Sequence, residues 1–433
     1  MHIEHECPQC GAPVTLDETD TLFSCSFCKT RLFMQAPDYF RYRIPPRDPF
    51  LETVFYVPYW RFKGMHFLCK TSAIENGLVD KTFIAIEAPG LPPSLGIRPQ
   101  TLKLKFAKLV DGAHYIRPAI AFDRSLAEVQ NKVEYQLART RTSRIVRISE
   151  DNYDLVPDVS LEIKEEHTYH EAFVSDTLSL IYAPFYLRDD TVHDGVTGDV
   201  LPAAAATVFN TEMIESGWTV SFVPTLCPNC GWDTISGKDS CTVFCRNCCS
   251  AWQVTEGKLS PVVFATMRSV IPHGVPSLYL PFWRVSPDIT GIKLDSYADF
   301  IRFTNIPRAL KPALETKPFY LWLPAFKTAP PAFLRIARQL TVNNPEATDT
   351  VMPLATVAPV NLPLKDACEG VKTLMGDLTL RKKIFFPTLP DITARIRDAS
   401  LVLVPFAENN QELVQLDMNF SLFKNTLRLG QGI

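Results

Sequence analysis

Eight cysteines fall into two groups with one spacing. The first is Cys7-x2-Cys10-x14-Cys25-x2-Cys28, and the second is Cys227-x2-Cys230-x14-Cys245-x2-Cys248. Each pair predicts a knuckle, a tight turn that points two sulfurs to one side. Gly11 and Gly231 follow the first pairs where such a turn needs a permissive backbone. Two knuckles brought together supply four thiolates in a tetrahedron, a set that suits zinc. Iron takes the same sulfur tetrahedron, so iron stays open as the alternative metal. Cys241 and Cys249 flank the second group and are candidate replacement ligands. His2 and His5 flank the first, whose four cysteines already fill a shell. Cys69 and Cys368 stand alone in apolar surroundings and read as core thiols.

The residues between the pairs predict a hairpin. Val14, Thr15 and Leu16 lead into Asp17-Glu18-Thr19-Asp20, and Thr21, Leu22 and Phe23 return. In the second group, Trp232 and Ile235 precede Ser236-Gly237-Lys238-Asp239, with Val243 and Phe244 after it. Both stretches resemble the zinc-ribbon family in its CPxCG…CxxC form, the ribbon type of bacterial and TFIIB-like proteins. The knuckles are also similar to those of rubredoxin, which implies an electron carrier if the metal is iron. With the downstream proline-aromatic strands, the chain resembles bacterial zinc-ribbon proteins described as primosomal-helicase-like. It has no ATPase motif to match a helicase. Some proteins of that type accompany membrane-stress or membrane-remodelling machinery, which implies a peripheral association with such machinery.

The groups lie 220 residues apart in a chain of 433. Other landmarks follow at nearly that offset. Pro58-Tyr59-Trp60-Arg61-Phe62 matches Pro281-Phe282-Trp283-Arg284-Val285, and Ala183-Pro184-Phe185 matches Val404-Pro405-Phe406. Leu104-Lys105-Phe106-Ala107-Lys108 matches Leu323-Pro324-Ala325-Phe326-Lys327 more loosely. The expected architecture is an internal duplication of a zinc ribbon followed by a mixed, β-rich α+β domain. The divisions are ribbon 1–36, domain 37–220, ribbon 221–258 and domain 259–433.

Within the domains, Thr101 to Phe106 alternates charged and apolar residues, a strand with one wet face. Phe319 to Leu323 is apolar throughout, a strand covered on both faces. Ser125 and Glu128 form a capping box before Leu126, Val129, Val133 and Leu137, which predicts a helix. Leu364, Val371, Leu374 and Leu378 predict another, and Pro331 to Leu340 a third. Either of the last two is a candidate counterpart of the first. The Trp–Arg strands could stack a base or ligand, but their aromatic residues read better as core.

Charge and composition narrow the function. Net charge is −3, so no global field draws the chain to nucleic acid. Residues 1–36 carry five acidic and two basic side chains, and residues 225–258 carry three of each. The basic runs are Arg41, Arg43, Arg47, Arg61 and Lys63 among Tyr39, Phe40, Tyr42 and Phe50, and Lys132, Arg139, Arg141, Arg144 and Arg147. Either run offers a contact for nucleic acid or for an acidic protein partner. No secretory leader and no run of about 18 apolar residues is evident. A cytoplasmic protein with reduced cysteines is expected.

No phosphate loop, dinucleotide fingerprint, zinc-protease helix or nucleophile elbow occurs. His167, His170 and Glu171 in HTYHEAF resemble a metal pair only in residue type, and they read as strand-edge polar residues, as do Asp189 and Asp190. The expectation is a non-enzymatic adaptor that binds protein partners through two structural zinc ribbons. A nucleic-acid-binding ribbon protein and an iron electron carrier are the alternatives.

Overall fold

The structure, a computed structural model, describes residues 2–429 except 72, 109–112, 123–133, 150–151, 211, 215–217, 273 and 348–349. It is β-rich with few helices. Two large sheets form its frame. The first runs Pro13–Asp17, His2–Glu6, Lys103–Phe106, Phe40–Arg43, Thr168–Arg188, Val54–Lys70, Ala73–Ile84, with Thr191–Asp194 and Ala113–Tyr115 paired to its central strands. The second runs Leu321–Pro324, Ser277–Ile289, Ala394–Glu408, Glu412–Gln415, Phe420–Phe423, with Phe264–Thr266 and Thr356–Val357 alongside.

Periodicity locates two strands correctly. Lys103–Phe106 alternates exposed and buried residues, and Leu321–Pro324 is buried throughout. The Trp–Arg motifs lie in the central strands, with Trp60 and Trp283 both in the core. Neither motif proline costs the sheet a hydrogen bond on that side, because the neighbouring strand ends opposite the next residue, at Tyr59↔Ile84 and Phe282↔Pro324.

The two halves use the same connections. Tyr182 pairs with Pro58 as Leu403 pairs with Pro281. Ala85 N–H donates to Pro58 O, and Ala325 N–H to Pro281 O. Trp60 Nε1 donates to Ile120 O at 2.7 Å, and Trp283 Nε1 to Leu362 O at 2.9 Å. These bonds correct one sequence match. Leu323 faces Trp283 as Phe83 faces Trp60, so Leu104–Lys108 is not the partner of Leu323–Lys327. Lys103–Phe106 instead joins His2–Glu6 to Phe40–Arg43.

The halves differ in what covers the sheets. After Leu362 the second half builds short helices Leu364–Cys368 and Val371–Leu378, interrupted at Glu369–Gly370. The predicted helix at Pro331 to Leu340 is present as Pro330–Asn343. It lies between Ala325 and Ala358, whereas the segment after Ile120 corresponds in position to the one after Leu362. Residues 125, 126, 128, 129 and 133 of the first-half helix lie outside the described residues. Leu137 lies on a strand, since Glu134–Ser149 and Asn152–Glu166 pair antiparallel as a two-stranded sheet. The second basic run thus falls on a strand, with Lys132 outside the described residues.

The long strand Val54–Lys70 is buried almost to its end because it leaves its own core and reaches the second half. Met65, Phe67, Cys69, Ala172 and Val174 join one cluster with Phe333, Leu374 and Met375. Phe67 and Phe333 rings lie 6.0 Å apart. Phe67→Ala should therefore cost about 3–5 kcal/mol, read as a lower urea midpoint for the contact between halves.

Candidate metal centres

The ribbons are built from short strands around the knuckles. The first strand pair is not the predicted hairpin. Pro13–Asp17 pairs with His2–Glu6, and Leu22–Ser24 pairs with Arg31–Gln35. The Asp17–Asp20 turn joins two different sheets instead of closing one hairpin. In the second ribbon Ile235 does bridge to Phe244, while Thr242–Cys245, Ser250–Thr255 and Lys258–Val262 form a sheet.

The first knuckle of each group closes in the same way. Cys7 N–H donates to Ala12 O and Gly11 N–H to Cys7 O, matched by Cys227 to Trp232 and Gly231 to Cys227. Gly11 and Gly231 have φ of +72° and +70°. Nothing lies within 4 Å of a Cβ added at Gly231, so backbone strain alone opposes a side chain there. Gly231→Ala is expected to cost about 1–2 kcal/mol, seen as easier release of metal to a chelator.

The structure brings all eight predicted residues into two groups that could hold metal ions. Within each, the four sulfurs lie within 4.8 Å of one another, and the burial pattern is identical. Sγ–Sγ distances are 3.7 Å for Cys7–Cys28 and Cys10–Cys25, and 3.5 Å for Cys227–Cys248 and Cys230–Cys245. A tetrahedron with metal–sulfur bonds of about 2.3 Å has edges of about 3.8 Å, so the arrangement fits a metal without rebuilding. Thr30 Oγ1 lies 3.2 Å from Cys28 Sγ and Ser250 Oγ 3.1 Å from Cys248 Sγ. Hydrogen bonding to the Thr30 side chain, then to its backbone, draws the Cys28 thiol down to about 6.

Among the described residues these are the two groupings of three or more His, Cys, Asp or Glu side chains close enough to share a metal. Cys241 bonds Val360 O, and Cys249 is exposed with φ +51°, so neither substitutes as a ligand. His2 pairs with Asp17, and His5 stacks on Phe222. Burial pushes the Cys69 and Cys368 thiols up to about 12, as core thiols should be. His170 and Glu171 are adjacent on a strand and face opposite sides. Glu171 bonds His66, while burial and then Lys372 press His170 down to about 4.

Nothing in the residue pattern signals that the two ribbons join each other, yet they do. Ser221–Pro224 pairs with Arg31–Gln35 of the first ribbon. Thr21 and Leu22 N–H donate to Lys238 O at 3.0 and 2.8 Å. Arg31 Nη1 donates to Thr234 O, and Thr225 Oγ1 to Arg31 O. Leu22, Phe33, Cys227, Val243, Cys245 and Trp252 share one small core.

A buried charge cluster anchors the first ribbon to its domain. Glu18 contacts Arg61 and, at 2.9 Å, Lys63 Nζ; Arg61 also grips Asp80 through two bonds of 2.9 Å. Arg61 is thus the carboxylate-paired arginine of the motif. Arg284 bonds Ser400 and lies over the Tyr320 ring.

Searches against protein families, curated proteins and solved structures found no match to this chain. Among the described residues no helix is long and apolar enough to cross a membrane.

Proposed function

We propose that the chain is a non-enzymatic zinc adaptor made by internal duplication, with ribbons at 1–36 and 221–258 and β-rich domains at 37–220 and 259–433. The repeated register around Pro58 and Pro281, and the matching Trp60 and Trp283 bonds, support the duplication. Four sulfurs fill each shell and leave no position for water, which favours a structural metal, and the sulfur tetrahedron suits zinc. A protein with zinc is colourless; visible charge-transfer absorption in the pure protein would favour iron and electron transfer.

The observation that carries the adaptor reading is the exposure of large apolar side chains on both knuckles. Phe27 is 68 % and Trp232 62 % exposed, on ribbons otherwise fastened to one another. Aromatic side chains held out by rigid turns are suited to anchoring a protein partner. The nucleic-acid reading loses ground because Arg61 and Lys63 are buried in ion pairs rather than displayed. Affinity purification from the native host, with partners identified by mass spectrometry, tests the proposal. Partners retained by the intact chain and lost from a Phe27→Ser, Trp232→Ser variant that keeps its metal support it. A chain that retains no protein but shifts nucleic acid in a salt-dependent way refutes it.

A further inference from the structure

The knuckles differ in what they show to water. Phe27 is exposed on the second knuckle of the first ribbon, and Trp232 directly after the first knuckle of the second ribbon. These are the knuckles next to the place where the ribbons join. Arg31, in the strand that leaves the Phe27 knuckle, donates to Thr234 O at 3.2 Å and to Ser236 O at 3.4 Å. Thr225 Oγ1 donates back to Arg31 O at 3.2 Å. At the same junction Leu226 is 52 % and Ile235 37 % exposed, and Leu226 bridges to Asp233. The ribbon contact is thus bordered by four large apolar side chains that face water. The metal sites do not need them. At the same distances from the other group's cysteines, Phe27 is answered by Asn247, Trp232 by Ala12, Leu226 by Glu6 and Ile235 by Thr15. With Ala12 and Glu6 in place, the Cys7-to-Gly11 knuckle closes through the same backbone bonds as the Cys227-to-Gly231 knuckle. Large apolar groups gathered in water at a rigid junction mark an interaction surface.

Charge selects what docks there. Lys29 and Arg31 stand among these residues, and neither meets a carboxylate among the described residues. Arg31 gives its hydrogen bonds to carbonyls, which leaves its charge uncancelled. Asp233, exposed beside Leu226, is the carboxylate that opposes them. Nucleic acid fits this surface less well. Two cations answer few phosphates, and Leu226 and Ile235 have no ring on which a base could stack. A second copy meeting the same surface would bring the like charges together. Resting on the adaptor reading, we infer that the ribbon junction takes an acidic, apolar peptide segment of a partner protein. Its large apolar side chains seat against Phe27, Leu226, Trp232 and Ile235, and its flanking Asp or Glu side chains answer Lys29 and Arg31.

Selection of a random peptide display library on the metal-loaded full chain tests this. The expected consensus has large apolar residues flanked by Asp or Glu. A synthetic peptide of that consensus, followed by fluorescence anisotropy, should bind saturably. Phe27→Ser with Trp232→Ser should weaken it about thirtyfold or more while both metals stay bound. Lys29→Glu should weaken it about fivefold, and Asp233→Asn should tighten it about twofold, a gain that damage to the fold would not give. A consensus without acidic residues that still needs Phe27 and Trp232 overturns the inference and leaves the adaptor reading standing. No enriched peptide, or peptides indifferent to the double substitution, overturns the inference as well, while partners recovered by the affinity purification would keep the adaptor reading. Tighter binding of single-stranded oligothymidine than of any selected peptide overturns both.

Discussion

Cys245→Ser is expected to remove one of two metal ions and to loosen both ribbons at once. Cys245 is fully buried, and its group shares a core with Leu22 and Phe33 of the first ribbon. A ribbon this small has little core of its own, so metal binding is folding free energy, of order 10–16 kcal/mol in isolated zinc-finger peptides. Losing one thiolate forfeits much of that. The freed segment then withdraws Lys238 O from Thr21 and Leu22, and Ser221–Pro224 loses its footing beside Arg31–Gln35. Elemental analysis should report about one metal per chain instead of about two, and limited proteolysis should open sites in residues 1–36 as well as 221–262. Cys7→Ser should differ. Cys7 packs with Ile3, Leu16 and Phe23 against the first domain, so damage should centre on the first ribbon. Retention of both metals in Cys245→Ser, or an unchanged cleavage pattern in the first ribbon, would contradict the shared core. Acid should release the metals too, since each ligand must be deprotonated to bind.

What can be read from the sequence is local. A CxxCG knuckle carries its geometry within five residues, so all eight metal-site cysteines are recognisable from their spacing alone. Alternation at Lys103–Phe106 and the apolar run at Leu321–Leu323 report burial on each face, and the structure agrees. Errors arise where pairing depends on distant chain. The 219-residue offset between Leu104 and Leu323 imitates repetition, yet Lys103–Phe106 belongs beside the first ribbon. Pairing rather than offset decides, and the two stretches pair with different strands. The Leu364 to Leu378 stripe has helical spacing, but Gly370 breaks it into two helices. Nothing in Arg31–Gln35 announces a partner 190 residues away in Ser221–Pro224. The stretch from Tyr39 to Lys63 is visible in the sequence as basic and aromatic. Only the register separates its members, placing Arg41 and Arg43 on one face and burying Arg61 and Lys63 elsewhere.

Glu18→Gln should destabilise the first half by about 3–5 kcal/mol, the cost of leaving a buried cation without its anion. In the sequence Glu18 reads as a turn residue of DETD. It is instead 4 % exposed at the side chain, facing Arg61 at 2 % and Lys63 at 9 %. Asp80 cannot neutralise both cations, and it is already engaged by Arg61 and Gln100. Burial alone would raise the Glu18 carboxyl; Arg61 and then Lys63 outweigh it and hold it below the ordinary value. A depressed folded pKa means that this stabilisation is present above the unfolded value of about 4.3. It is lost as pH falls through the folded value. The wild type should thus lose stability in acid more steeply than Glu18→Gln, whose amide does not titrate. Glu18→Leu with Arg61→Met and Lys63→Met should recover much of the loss, because both buried cations go with their anion and only Asp80, 23 % exposed at the side chain, is left without its partner. If the triple variant is as unstable as Glu18→Gln, lost packing rather than stranded charge is responsible. The second ribbon shows why the cluster occurs once. Lys238 stands as far from Cys227 as Glu18 does from Cys7, and a lysine there could not answer Arg284. That ribbon's turn instead gives the Lys238 carbonyl to Thr21 and Leu22 and the Asp239 carboxylate to Asn361 Nδ2, so it is fastened both to the first ribbon and to its own half without a buried ion pair.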